Sequence, residues 1–340
     1  MTPKLVLSLG VAAIVSVGAA AAAWQASRPD TKVAGAGGEL LPELIDKVNT
    51  IAGIEVRHQG RSMRLKREDG SWRVLPSGYA VKPRKLQETL VGLIRLNKLE
   101  PRTSKADKYA ILQVEDAGGA ASKSRHVLLR DEAGKEVGSV LLGKAATGYT
   151  SGAEEAQYVR LGGEAQSWLV KGSVSAGAEY KDWVDTTVVQ INTGEVKSVT
   201  ITQADGEMLE LLKTGKTAQG HDQFTVQGLP EGIKVKDDLT VRYAATDLAN
   251  VEFVGVRKAK PGGEVVARAM LETDKGLKVA YEMTREGEEN WLSVSLLAAG
   301  EDAEGAEKLK ATVEGWDFAI ADYKAKQFRK RLSDVLDMQQ

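Results

Sequence analysis

A pattern of apolar residues that occurs twice limits this chain more than any other feature of it. Ile51, Ile54 and Val56 recur as Val196, Val199 and Ile201, each 145 residues on, and Met63 falls on Met208 at the same spacing. Further along, Tyr79, Val81, Lys82 and Leu99 match Ile233, Val235, Lys236 and Phe253 at a spacing of 154. Between these blocks Trp72 and Val74 answer to Phe224 and Val226, and the changed spacing fits a longer hairpin around Thr214–Asp222. A second set, Tyr158, Trp168 and Leu169, matches Tyr281, Trp291 and Leu292 at 123 residues. Matches in register and in one chain order imply two similar units, each with its own apolar face.

The unit reads as strands with one helix. Gly53–His58 and Ser62–Lys66 alternate apolar and polar residues around Gln59-Gly60-Arg61, as a half-buried hairpin does. Asp69-Gly70 turns the chain into Ser71–Leu75. Pro83 suits a first helical position, and Leu86, Leu90, Leu93, Ile94 and Asn97 mark one helical face that Pro101 is expected to end. Strands follow at Arg125–Arg130, Glu136–Leu142, Gln157–Leu161 and Ser167–Val170. In the second unit Asp205-Gly206 joins Ser198–Gln203 to Glu207–Lys213, and Phe224–Gln227 follows. Asp237 is positioned as the N-cap of a helix reaching Asn250. A meander over Val265–Thr273, Leu277–Thr284 and Trp291–Leu297 comes next, then a strand with Trp316, Phe318 and Ile320. A last helix carries Phe328, Leu332, Val335 and Leu336.

Ahead of the units, Leu5 to Trp24 contains no charged residue. About 20 such residues in a helix cross a hydrocarbon core of about 30 Å. Lys4 precedes the segment and Trp24 sits where an interfacial aromatic belongs, which puts the N-terminus in the cytoplasm and the rest outside. The same residues also fit a cleaved signal, with Lys4 as the charged region and A-x-A sites in Ala19–Ala23. Both readings export the body: one gives a single-pass inner-membrane protein with a periplasmic body, the other a soluble periplasmic protein. Residues 25–39, with Ala34-Gly35-Ala36-Gly37-Gly38, read as a flexible linker. The expected organisation is therefore an anchor or signal over 1–24, a linker over 25–39, and units over 40–180 and 181–340. The fold class is α+β and β-rich: two duplicated units of antiparallel hairpins, each with a packed helix, behind one N-terminal transmembrane helix.

Composition narrows the chemistry. Cysteine is absent, which removes disulfides, thiol nucleophiles, cysteine metal sites and a lipid-modified cysteine. With 46 basic and 47 acidic side chains and 5% aromatics, the chain lacks the excess positive charge and the stacking rings that nucleic-acid binding draws on. The histidines His58, His126 and His221 have no second histidine at ligand spacing, so no metal site is expected. Asp237-Asp238 reads as helix capping. No nucleophile-elbow, zincin or phosphate-loop pattern occurs, and no cofactor or catalytic residue is assigned. Trp72, Trp168 and Trp291 fall in strands, where packing is the expected role. Lys324, Lys326, Arg329, Lys330 and Arg331 make the terminal helix basic; a solvated face is expected, with contact to anionic headgroups or an acidic partner as the functional alternative.

The hydrophobic segment, the stretch GIEVRHQGRSMRLKREDGSWRVLPSGYAVKPRKLQETLVGLIRLNKLE, the hairpin YVRLGGEAQSWLV and the closing GWDFAIADYKAKQFRKRL resemble the bacterial family known as domain of unknown function 4340. Members of that family are often found beside ABC-type transporter components and a gliding-motility-associated auxiliary protein. The resemblance implies a non-enzymatic extracytoplasmic accessory or scaffold subunit, held at the membrane and bound to an envelope protein such as an ABC permease or auxiliary subunit. The alternative is an exported soluble binding module for a glycan or peptide. An envelope hydrolase would need a pocket with converging carboxylates.

Overall fold

The computed structural model describes residues 37–146 and 155–337. The expected anchor from Leu5 to Trp24 lies outside them. Among the described residues no helix is long and apolar enough to cross a membrane.

The first unit opens with a short helix, α1 (Leu44–Lys47), and three antiparallel strands, β1 (Ile51–His58), β2 (Arg61–Glu68) and β3 (Ser71–Leu75). Alternation carries them: Ile54, Val56, Met63, Leu65 and Val74 are buried while the residues between face out. The short β4 (Tyr79–Ala80) leads to α2 (Pro83–Ile94), which buries Leu86, Thr89 and Leu93. Then come β5 (Asn97–Pro101), a one-turn helix α3 (Tyr109–Leu112), and β6 (Arg125–Asp131), β7 (Glu136–Ala145), β8 (Ala156–Leu161) and β9 (Ser167–Lys171). The sheet runs β4-β3-β2-β1-β6-β7-β8-β9-β5.

The second unit contains β11 (Val196–Gln203), β12 (Met208–Lys216), β13 (Asp222–Val226), α4 (Asp238–Thr246), β15 (Gly255–Lys258), β16 (Glu264–Thr273), β17 (Leu277–Glu286), β18 (Glu289–Ala299), α5 (Ala303–Val313) and β19 (Trp316–Ile320). Its sheet runs β13-β12-β11-β16-β17-β18-β19-β15. Apart from β4, each strand has a counterpart at the same place in the first sheet, and the edge strand after the helix, β5 or β15, pairs with the last one in both. A two-stranded ladder of β10 (Thr187–Gln190) and β14 (Asn250–Glu252) joins the connecting segment to the second unit. One continuous core runs through both units. Trp183, fully buried in the connecting segment, donates its indole N–H to Gly177.

Four expectations need correction. Asn97 and Pro101 belong to β5; α2 ends at Ile94, and buried Leu96 leads into the extended edge strand that opens at Asn97. Met63 does not correspond to Met208. Val56 pairs with Met63 and Ile201 with Leu209, so Leu209 holds the buried place and Met208 is exposed. The 123-residue match joins unlike strands: Tyr158 and Trp168 lie on β8 and β9, whereas Tyr281 and Trp291 lie on β17 and β18. By ladder position Trp291 answers to Tyr158, and Phe318 to Trp168. The closing helix is two helices, α6 (Asp322–Phe328) and α7 (Leu332–Val335), broken where Gln203 donates to the Lys330 carbonyl. Asp237 does cap α4, accepting from the Thr240 N–H at 3.0 Å.

Candidate functional site

The two sheets turn their second faces to different surroundings. In the first unit, residues 102–124 cross the back of β6 to β9. Tyr109, Val114 and Ala117 of this cover are buried, and so are Leu128, Leu141 and Leu169 beneath it. Arg160 fastens the cover: its Nε donates to the Val114 carbonyl at 2.9 Å, its Nη2 to Asp116, and its guanidinium lies 4.4 Å from the Tyr109 ring centroid. Gly143 on β7 permits the approach, since a Cβ there would come within 2.3 Å of the Leu112 carbonyl oxygen.

The second unit has no such cover, because only residues 259–263 separate β15 from β16. The ladder places Met270, Ala280, Glu282 and Ser293 where the first sheet has Leu128, Ser139, Leu141 and Arg160. The result is an open groove of about 520 Å³. Thr200, Thr202, Ala280, Ser293 and Ser295 form its floor, and Met270 and Leu297 stand exposed over it. Arg268 and Glu282 pair across it at 2.8 Å. Small and hydroxyl side chains keep the floor low. The groove suits an extended or shallow protein surface.

A charged cluster closes one end of this face. Arg257 donates twice to Glu286, at 2.6 and 2.8 Å, and its guanidinium lies 3.8 Å from the Trp291 ring centroid. Buried Asp317 accepts from Arg257 Nε, the Lys260 N–H and the Ser293 hydroxyl. Hydrogen bonds from Arg257 and Lys260 hold the Glu286 carboxyl down at about 2. The first unit repeats the stacking in weaker form, Arg102 over Tyr158 at 5.7 Å.

Between the units lies a cleft of about 380 Å³. Tyr79 enters from the first unit; Leu277, Asp302, Lys308 and Leu309 come from the second, and Asp185 from the connection. Burial, then the Asp185 charge, push the Tyr79 phenol above its ordinary value. Asp302 is occupied as the N-cap of α5, accepting from Gly305 at 2.9 Å.

The residues singled out in the sequence are dispersed. His58 Nδ1 lies 2.9 Å from the Ser124 carbonyl, His126 Nε2 lies 2.8 Å from the Ser139 hydroxyl, and His221 is exposed in a hairpin. Burial lowers the His126 imidazole. Among the described residues no group of three or more histidines and carboxylates could hold a metal ion. Trp72 and Trp168 pack on the core, whereas Trp291 lies under Arg257. Three of the basic residues bind inside the chain: Lys324 donates to the Asp247 carbonyl, Lys330 to its carboxylate, and Arg331 to Asp205 and Glu207. Burial lowers the Lys324 ammonium. Lys326 is exposed and Arg329 half-buried. Arg257, Glu286 and Asp317 were not legible beforehand; each is one charge in a strand, and only pairing across β15, β17 and β19 assembles them.

A family profile described as Domain of unknown function (DUF4340) matches residues 72–263. The chain belongs to the DUF4340 family. No curated protein matches it. The DUF4340 match spans the cover, Tyr79 and both edge strands β5 and β15, and stops just short of β16 to β18, which carry most of the bare groove.

Proposed function

We propose that the protein is a non-enzymatic extracytoplasmic accessory or scaffold protein of a membrane transport or envelope machine, associated with an ABC-type transporter. Residues 5–24 anchor it in the inner membrane by one span, with the two units, derived from a duplication, in the periplasm. One observation carries this reading: the second sheet leaves bare the face that the first sheet buries under residues 102–124. Exposed apolar side chains over a polar floor mark a surface for another protein. Export follows from the uncharged N-terminal segment.

The test is a detergent pull-down of the full-length tagged chain, with mass spectrometry of bait and partners. Recovery of an intact N-terminus with permease and ATPase subunits, lost on Met270→Asp and Leu297→Asp together, is the expected result. A bait that begins after Ala19–Ala23, soluble and alone, rejects the reading. That outcome favours a soluble binding module for a glycan or peptide, for which the cleft at Tyr79, Asp185 and Lys308 has a suitable volume.

A further inference from the structure

The two units carry opposite charge, although the chain as a whole is nearly neutral. Residues 40–180 hold 22 Lys and Arg against 17 Asp and Glu, whereas residues 181–340 hold 21 against 28. Such an asymmetry turns the positive half toward an anionic surface and the negative half away from it. The positive unit is also the one next to the hydrophobic N-terminal segment. Gly37 and Gly38 pair with the outer edge of β5: the Gly37 N–H donates to the Lys98 carbonyl and the Lys98 N–H to the Gly38 carbonyl, both at 2.9 Å. The bridge between Glu39 and Asn97 is antiparallel, so at Gly37 the backbone points back toward the Pro101 end of β5. Residues 25–36 alone separate Gly37 from Trp24, a stretch that spans at most about 40 Å when fully extended. The Pro101 end of β5 carries a basic rim. Arg102, Lys105 and Lys108 are exposed there, and Ile111 on α3 is 64% exposed beside them. A notch of about 320 Å³ brings Pro101, Arg102, Thr103, Lys108, Ile111 and Leu112 together at this rim. Arg102 pairs with Glu100 at 3.1 Å. Lys105 and Lys108 make no ion pair among the described residues, and Asp107 is the one carboxylate between Arg102 and Ile111.

We infer that this rim rests on an anionic lipid surface, with the Lys105 and Lys108 ammonium groups on headgroup phosphates and Ile111 entering the interface between them. The inference rests on the membrane-anchored reading and deepens it, since it says which side of the body faces the bilayer. Two observations select lipid as the occupant. The first is where the described chain ends: Gly37 lies on the edge that leads to the rim, within about 40 Å of the end of the hydrophobic segment. A tether that short keeps the first unit, not the second, close to the headgroups. The second is charge. Each Lys or Arg held near an anionic bilayer favours contact by about fivefold, and the unit that carries the rim is the positive one. The acid-rich second unit is repelled from the same surface, so one orientation satisfies both. Lysine stems lie along an apolar neighbour while their charged ends stay in water, which suits Ile111 between Lys105 and Lys108 to the boundary of a bilayer.

The absence of cysteine makes a site-specific probe possible. Ile111→Cys and Leu297→Cys, each in the full-length chain and labelled with a polarity-sensitive fluorophore, are reconstituted into two kinds of vesicle. One contains phosphatidylglycerol with phosphatidylcholine, the other phosphatidylcholine alone. In the anionic vesicles the Ile111→Cys probe is expected to shift to shorter wavelength and the Leu297→Cys probe to stay unshifted. Salt at about 1 M, where the Debye length is about 3 Å, is expected to reverse the shift. Lys105→Gln with Lys108→Gln is expected to lower the ratio of docked to free body roughly 30-fold. Alkaline carbonate extraction of the same vesicles reads the anchor separately. Chain that resists extraction while the Ile111→Cys probe stays unshifted overturns the inference and leaves the anchor standing. Chain that carbonate releases overturns the anchor, and the inference with it. An equal shift in neutral vesicles, or at both labelled positions, also overturns the inference.

Discussion

At the scale of single residues, identical ladder positions carry opposite constraints. Leu128 is buried on the covered face of the first sheet, whereas Met270, its counterpart, faces the groove. Leu128→Asp buries an unpaired carboxylate and is expected to cost about 3 kcal/mol or more. Met270→Asp is expected to cost within about 1 kcal/mol, since the group stays wet and loses only strand propensity. Urea unfolding of the two variants measures the difference. Glu286 has a pH signature. Its folded value of about 2 lies below the ordinary 4.5, so its contribution is present above the unfolded value and disappears as pH falls through the folded one. Glu286→Gln is expected to flatten the melting-temperature profile between about pH 4.5 and 2, and an unchanged acid limb would count against the Arg257–Glu286 pair.

Among the elements, the helices differ in how they begin. α2 starts with Pro83 and no side-chain cap, whereas α5 starts from Asp302, whose carboxylate accepts from Gly305. Asp302→Ala is expected to cost about 1 kcal/mol, the usual value of such a cap, and to raise amide exchange in the first turn of α5. Because that turn borders the cleft, the same variant also probes how firmly the cleft wall is held. The cover over the first sheet has only a 3-10 turn at Ala106–Lys108 and the short α3 as regular structure, and it stays in place through Arg160, Asp116 and the close approach at Gly143.

For the molecule as a whole, two sheets of matching order become one body through a shared core and a small aromatic contact. Tyr79 from the first unit sits among three rings of the second, and Tyr180 of the connection adds an edge contact to Phe253 at 6.0 Å. Tyr79→Ala is expected to cost about 2–3 kcal/mol, less than a fully buried ring because Tyr79 is only half-buried. With one core running through both units, the intact chain is expected to unfold in one transition, and Tyr79→Ala to broaden it toward two, which differential scanning calorimetry would register.

Period-two alternation and turn residues decide where strands lie, and both are local. The hairpins at Gln59-Gly60 and Asp205-Gly206, the Pro83 and Asp237 helix starts, and the repeat at Ile51 and Val196 could therefore be read directly from the chain. Alternation carries no record of which strand is the neighbour. That Trp291 answers to Tyr158, and Phe318 to Trp168, was for that reason invisible until the ladders were known. The same holds for Asn97, where helical spacing gave way to a sheet edge needing a partner for β9. The bare second face and the Arg257 cluster both depend on what lies opposite a residue across tens of positions. Only the tertiary structure decided them, because burial belongs to pairs of surfaces and the sequence states one residue at a time.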